Sequence, residues 1–189
     1  MLSVIIPTLD CERALVPTLA ALVSGATEGL IREVLLADGG SRDDTAVVAD
    51  VAGCKFLQLG RPLGERLRAA ALAARGPWLL FVRPGIILDT PWVGETRRFL
   101  ELTRDSERAA TFRRGVSAAS PLREAFAQVM ATLGAKPRPQ QGLLISRRFY
   151  DGLGGHHAAA DPESDLIGRI GRRRIARLAT AAIPAAADT

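Results

Sequence analysis

Short apolar runs alternate with helix-patterned stretches through the first half of the chain. Residues 2–7 (Leu-Ser-Val-Ile-Ile-Pro) are an almost unbroken apolar run stopped by proline, the mark of a buried strand. A helix is predicted next, with Pro17 in its first turn and Leu19, Leu22 and Val23 on one face. Residues 33–37 read as a second strand. Asp43 or Asp44 suits the cap of the following helix, whose Val47, Val48 and Val51 are expected to point inward before Gly53 ends it. Residues 54–59 give a third strand, 63–75 a helix closed by Gly76, and 78–82 a fourth strand. Strand–helix alternation of this kind implies right-handed crossovers and a parallel sheet.

The second half is less regular. Helices are predicted over 91–103 and 121–133, the latter with Leu122, Phe126, Val129, Met130 and Leu133 on one stripe. Residues 111–116 and 142–146 read as short strands. A last helix opens at Pro162 and runs to 172, and a terminal strand covers 174–179. The expected fold class is α/β, a mostly parallel central sheet flanked by helices. It forms a single domain over 1–180, with 181–189 as a frayed alanine-rich tail. Ligands of open parallel sheets bind beyond the carboxyl ends of the strands, where strand order reverses. The loops to inspect are therefore 7–10, 38–44 and 83–89.

Composition narrows the field. The 189 residues are 48% hydrophobic and 24% charged, which fits a folded domain rather than a disordered one. No apolar run approaches the ~18–20 residues that span a bilayer, and Met1 leads straight into the first strand, so a cytoplasmic protein is expected. The formal charge of +5 is almost all arginine; Lys55 and Lys136 are the only lysines. Arginine suits bidentate contact with phosphate. No recognition motif or aromatic interleaving points to nucleic acid, so nucleotide phosphates, or peripheral contact with an anionic membrane at its inner face, fit the charge better. Cys11 and Cys54 lack metal-like spacing and read as reduced thiols.

Five segments in order carry a family pattern: 3–10 (Ser-Val-Ile-Ile-Pro-Thr-Leu-Asp), 34–45 (Val-Leu-Leu-Ala-Asp-Gly-Gly-Ser-Arg-Asp-Asp-Thr), 74–82, 141–155 and 162–174. Together they resemble the family 2 glycosyltransferases of GT-A fold, nearest to small soluble bacterial members with an Asp-Gly-Gly-Ser second loop. The resemblance implies a nucleotide-sugar donor, most often a uridine diphosphate sugar, and inverting transfer to an unknown acceptor. It places Asp38 where the nucleobase is read, and Pro7 and Thr8 along the nucleoside, with Asp10 in the same loop. Gly39 and Gly40 let the chain pass close to the ligand. Arg61 belongs to a Gly-Arg opening like the family's, and Arg68 replaces its usual asparagine. The plainer reading of residues 38–44 is a turn with a helix cap at Asp43 or Asp44, and for Asp38 the nucleotide role is favoured over it.

Transfer expels a nucleoside diphosphate, and enzymes of this fold usually offset its charge with a divalent ion held by carboxylate. Here the aligned residues are Arg83-Pro84-Gly85, and Gly85 has no side-chain oxygen. Asp89 is the nearest carboxylate, but suits a helix cap better. No metal ligand is therefore assigned, and manganese or magnesium is not expected as a cofactor. Arg83 either supplies fixed positive charge instead or is a solvated loop arginine. Gln140 also stands where relatives often have aspartate. The resemblance puts Glu163 at the general-base position, usually aspartate, with a reach longer by about 1.5 Å. Asp165 lies on the next turn and Asp161 is in reserve. All three also fit a helix N-terminus whose dipole favours acids. His156 and His157 are expected at the surface or against the acceptor, and Trp78 and Trp92 in packing. Two classes remain: a glycosyltransferase, or a non-catalytic nucleotide- or sugar-binding module. A nucleotidyltransferase is set aside because Pro7-Thr8-Leu9-Asp10 is no glycine-rich triphosphate loop.

Overall fold

The computed structural model describes residues 1–103, 106–115 and 137–185. In chain order these form β1 (Leu2–Thr8), α1 (Glu12–Thr27), β2 (Ile31–Asp38), α2 (Thr45–Val51), β3 (Lys55–Gln58), α3 (Leu63–Ala73), β4 (Trp78–Phe81) and β5 (Ile86–Leu88). Then follow α4 (Trp92–Leu102), β6 (Ala109–Arg114), β7 (Leu143–Ser146), α5 (Arg147–Gly152), α6 (Pro162–Ile170) and β8 (Ile175–Pro184). The helix predicted over 121–133 lies outside the described residues. Among the described residues, no helix is long and apolar enough to cross a membrane.

The strands join one eight-stranded sheet in the order β3-β2-β1-β4-β7-β6-β8-β5. From β3 to β4 every pairing is parallel; β7 enters antiparallel to β4. Beyond it, β6 pairs in parallel with β8, while β5 closes the edge antiparallel. The chain builds outward from β1 to β2 and β3, then returns to set β4 on the other side of β1. That reversal opens a crevice at the carboxyl ends of β1, β2 and β4.

Burial on both faces explains why β1 reads as a continuous apolar run. Leu2, Val4 and Ile6 join a core with Leu15, Leu22 and Trp92, while Ile5 faces Leu67, Ala70 and Ala71 on the other side. Trp92 is fully buried and donates from Nε1 to the Ala21 carbonyl at 3.1 Å. Its ring lies where a side chain on Gly25 would be, since a Cβ there would come within 2.4 Å of it. Arg147 closes α3, donating to the carbonyls of Ala71 (2.8 Å), Ala74 (2.6 Å) and Gly76 (3.1 Å). A basic side chain thereby satisfies the orphan acceptors of a helix end.

Three expectations change. Pro17 lies in the second turn of α1, because Asp43 accepts the Glu12 N–H at 3.0 Å and the helix starts earlier. Val23, Val47 and Val51 are exposed rather than inward; Thr18 and Leu22, and in α2 Thr45 and Ala49, face the core instead. The outward valines border an apolar groove of about 500 Å³ between α1 and α2, toward the N-terminal ends of β2 and β3. It offers almost no polar group to orient a nucleotide. Finally, residues 181–184, expected to fray, belong to β8, with Ala182, Ile183 and Pro184 paired to Leu88, Ile87 and Ile86. The three-residue β5 is too short to show alternation in sequence.

Glu95 of α4 fixes β8. Its carboxylate accepts from the backbone N–H groups of Ala179 (2.5 Å) and Thr180 (2.7 Å) and from the Thr180 hydroxyl. Replacing Glu95 by Ala is expected to lower the unfolding free energy by about 1–3 kcal/mol, the range for stranding donors of this kind. Urea denaturation of both proteins at neutral pH measures it, and equal midpoints would remove Glu95 from the support of β8.

Candidate active site

The ends of β1 and β2 meet at a buried carboxylate. Asp38 is fully buried and accepts from four donors: the Thr8 hydroxyl (2.9 Å), the Gly40 N–H (2.7 Å), the Ser41 N–H (2.8 Å) and the Ser41 hydroxyl (2.5 Å). Burial pushes its carboxyl up, but the Ser41, Gly40 and Thr8 donors outweigh that and hold it below the usual range. Both oxygens are thus occupied by the chain itself. Asp38 was expected to read a nucleobase; in this structure it shapes the loop, and no acceptor position on its carboxylate is left over.

The other acidic residues of the two loops behave alike. Asp10, in the left-handed region at φ 45°, accepts the Arg42 N–H at 2.7 Å, and its own N–H donates to the Ser41 hydroxyl at 3.0 Å. Asp43 accepts from Glu12 N–H and Thr45 N–H, while Glu12 accepts from Asp44 N–H at 2.9 Å. Asp43 therefore serves the starts of both α1 and α2, and the cap role weighed for this stretch is the one seen. Gly40 (φ 101°) leaves open space around its α-carbon, and Pro7 is half-buried.

Beneath these loops lies a residue that sequence reading missed. Arg66, on the inward face of α3, is 8% exposed and donates from Nη1 to the carbonyls of Thr8 (2.7 Å) and Ala37 (2.9 Å). A Cβ on Gly39 would lie 2.7 Å from that nitrogen, so glycine at 39 is what admits the guanidinium. Burial lowers the Arg66 pKa and the Asp38 carboxylate opposes the shift. A signal existed: position 66 follows Leu63 by three and precedes Ala70 by four, the spacing of the buried stripe. Arg61 and Arg68, singled out instead, are both exposed.

Across the crevice, the loop after β4 reaches the start of α6. Arg83 donates from both Nε (2.7 Å) and Nη2 to one oxygen of Glu163, Oε2. Glu163 is buried, and among the described residues its Oε1 makes no hydrogen bond. Arg83 and Glu163, which the family pattern assigns separate tasks, are thus joined in one ion pair. Asp161 caps α6, accepting the Ser164 N–H at 3.1 Å, and Asp165 is held by Arg169 at 2.8 Å. His156 is buried, not at the surface; burial, then the Arg169 charge, pushes its pKa down to about 3, and its Nδ1 lies 2.9 Å from the Tyr150 hydroxyl. Neutral and enclosed, it serves packing. His157 is exposed, its backbone carbonyl against Gly64 at the start of α3.

Among the described residues, the loop after β4 offers no carboxylate cluster for a divalent ion. Gly85 (φ 80°) serves as a backbone anchor, donating to the Ala14 carbonyl at 2.8 Å and accepting from the Ala185 N–H at 2.7 Å. Asp89 accepts the Thr90 N–H at 2.8 Å. Among the described residues, no group of three or more His, Cys, Asp or Glu is placed to hold a metal.

Comparison with known proteins bears out the resemblance over the first part of the chain. Residues 3–82 match the family model "Glycosyl transferase family 2". Glucosyl-3-phosphoglycerate synthase of Mycolicibacterium paratuberculosis is 30% identical over 105 residues, covering 49% of this chain and 32% of that protein. The chain thus aligns with about a third of the curated relative it matches. Among solved structures, glucosyl-3-phosphoglycerate synthase from Mycobacterium tuberculosis in complex with phosphoglyceric acid superposes with a TM-score of 0.70 at 20% identity, covering 100% of this chain and 72% of that one. Residues 1–349 of S. aureus TarS give 0.75 at 16% identity, covering 97% and 60%. These likenesses show the fold: α/β, GT-A, with a mostly parallel sheet flanked by helices.

An Asp38→Asn variant turns one acceptor into an NH2 facing donors, and is expected to lose about 1–3 kcal/mol at neutral pH. Because the folded carboxyl lies below its unfolded value of about 3.9, the stabilisation is present above that pH and disappears as pH falls through the lower folded value. The gap between wild type and variant in denaturation midpoint should therefore close below about pH 4. A gap that stays constant into acid would deny the carboxylate this task.

Proposed function

We propose that this chain, a family 2 glycosyltransferase through its residues 3–82 and GT-A in fold, moves a sugar from a nucleotide-sugar to an acceptor hydroxyl. A uridine diphosphate sugar is the donor that fits best: the M. tuberculosis synthase, 20% identical, has been solved in complex with Mn2+, uridine diphosphate and glucosyl-3-phosphoglycerate. One observation carries the reading. Glu163, at the base position of the family pattern, is anchored through Oε2 by Arg83 and keeps Oε1 without a hydrogen bond among the described residues.

In inverting transfer the acceptor oxygen attacks the anomeric carbon in line as the bond to the diphosphate breaks. The hydroxyl proton passes to a carboxylate placed within hydrogen-bond reach. Glu163 takes that proton on Oε1, and Arg83 acts as its positioning residue, fixing the plane of the carboxylate. Asp165, paired with Arg169, and Asp161, capping α6, are not needed as bases. Negative charge on the departing diphosphate is met by guanidinium.

A second reading draws on the same ion pair. A nucleotide-binding module without turnover would hold Glu163 and Arg83 together permanently, as a brace between the loop after β4 and α6. Titration with uridine diphosphate and assay of donor hydrolysis or transfer separate the two. For the enzyme, Glu163→Gln is expected to cut turnover by about 10²–10⁴-fold with nucleotide affinity kept. Nucleotide binding by the wild type with no turnover across a broad donor panel would establish the module instead.

A further inference from the structure

Arg66 has one edge of its guanidinium with nothing to hold. Nη1 is engaged by Thr8 and Ala37. On the opposite edge, Nε is buried without a partner, and Nη2 makes no hydrogen bond among the described residues. Buried donors are rarely left so, and an unmatched one demands an explanation. The Asp38 carboxylate that acts on this charge cannot supply one, because its oxygens are filled by Thr8, Gly40 and Ser41.

The free edge has a definite chemistry. Nε–H and Nη2–H lie on the same side of the guanidinium plane as near-parallel donors; Arg83 uses that very edge on Glu163. Such an edge fits two oxygens of a phosphate or carboxylate. Arg66 sits under the carboxyl ends of β1 and β2, beside the crevice where sheets of this topology take nucleotides. Gly39 presses on the guanidinium and fixes its plane. Arg83, the half-buried alternative, is committed to Glu163.

We infer that Arg66 is the phosphate-binding residue of this chain, its Nε–Nη2 edge gripping the diphosphate of the nucleotide donor. The inference rests on the donor reading above and assigns the positive charge that reading requires. Held by two carbonyls before any ligand arrives, the guanidinium keeps its plane, and a phosphate oxygen reaches the buried Nε by displacing what covers it.

Uridine, uridine monophosphate and uridine diphosphate, titrated calorimetrically in chelator-treated buffer, test it. The wild type is expected to prefer the diphosphate to uridine. Arg66→Lys keeps a charge but not the fork, and should weaken the diphosphate by at least about tenfold while leaving uridine unchanged. Arg66→Met should abolish the preference, and uridine binding by each variant reports an intact site. Should these variants fail to fold, the Arg66 Nε–H resonance of the wild type decides: it is expected to shift with the diphosphate and not with uridine. A wild type that binds none of the three ligands would sink the nucleotide reading itself. Retained preference in both variants, or an unmoved resonance beside measurable diphosphate binding, would overturn the role of Arg66 alone.

Discussion

A carboxylate without access to water sets the shape of the crevice. Asp38 must find donors for both oxygens, and it finds them in Thr8 of the first loop and Gly40 and Ser41 of the second. Those bonds fix the turn that leaves β2, which in turn presents Ser41 to Asp10 and Asp43 to the start of α1. Arg66 completes the arrangement from below, bridging the last carbonyls of β1 and its neighbour β2. The two charges act on each other through space rather than as a direct ion pair, so each is buried with partial compensation.

The acidic loop therefore works chiefly as architecture. Residues 38–44 look like a ligand-binding string of acids and glycines, yet the carboxylates of Asp38 and Asp43 accept from backbone N–H groups of the chain itself. What is left unsatisfied near the strand ends is basic: Arg66 Nε is buried without a partner, while Arg83 is paired with Glu163. Gly85 belongs to the same pattern, since its backbone ties α1 to the residue that follows β8.

Much of this was legible beforehand. Strand and helix order followed from apolar periodicity because a parallel sheet buries both faces of its strands, leaving runs such as 2–7 unmistakable. The family resemblance followed from five segments in fixed order. Less legible were the orientations of Val23, Val47 and Val51, which sit outside the core although their spacing suits it. Short helices such as α2 bury few side chains, here Thr45 and Ala49 with Val48 half-buried against the core, and periodicity cannot say which ones win. β5 escaped notice because three residues carry no period, and its partner in β8 made a strand of residues expected to fray.

Sequence alone determined the fold class, the place of the crevice and the absence of a carboxylate at position 85. It could not rank its arginines. Arg61, Arg66, Arg68 and Arg83 carry the same side chain, and their tasks differ only by what the tertiary structure sets against them. Helix rotation sends Arg66 inward and Arg68 outward. Packing of α6 against the strand ends brings Glu163 to Arg83 across eighty positions of chain. Charge pairing depends on distance through space, and only the closed sheet fixes those distances.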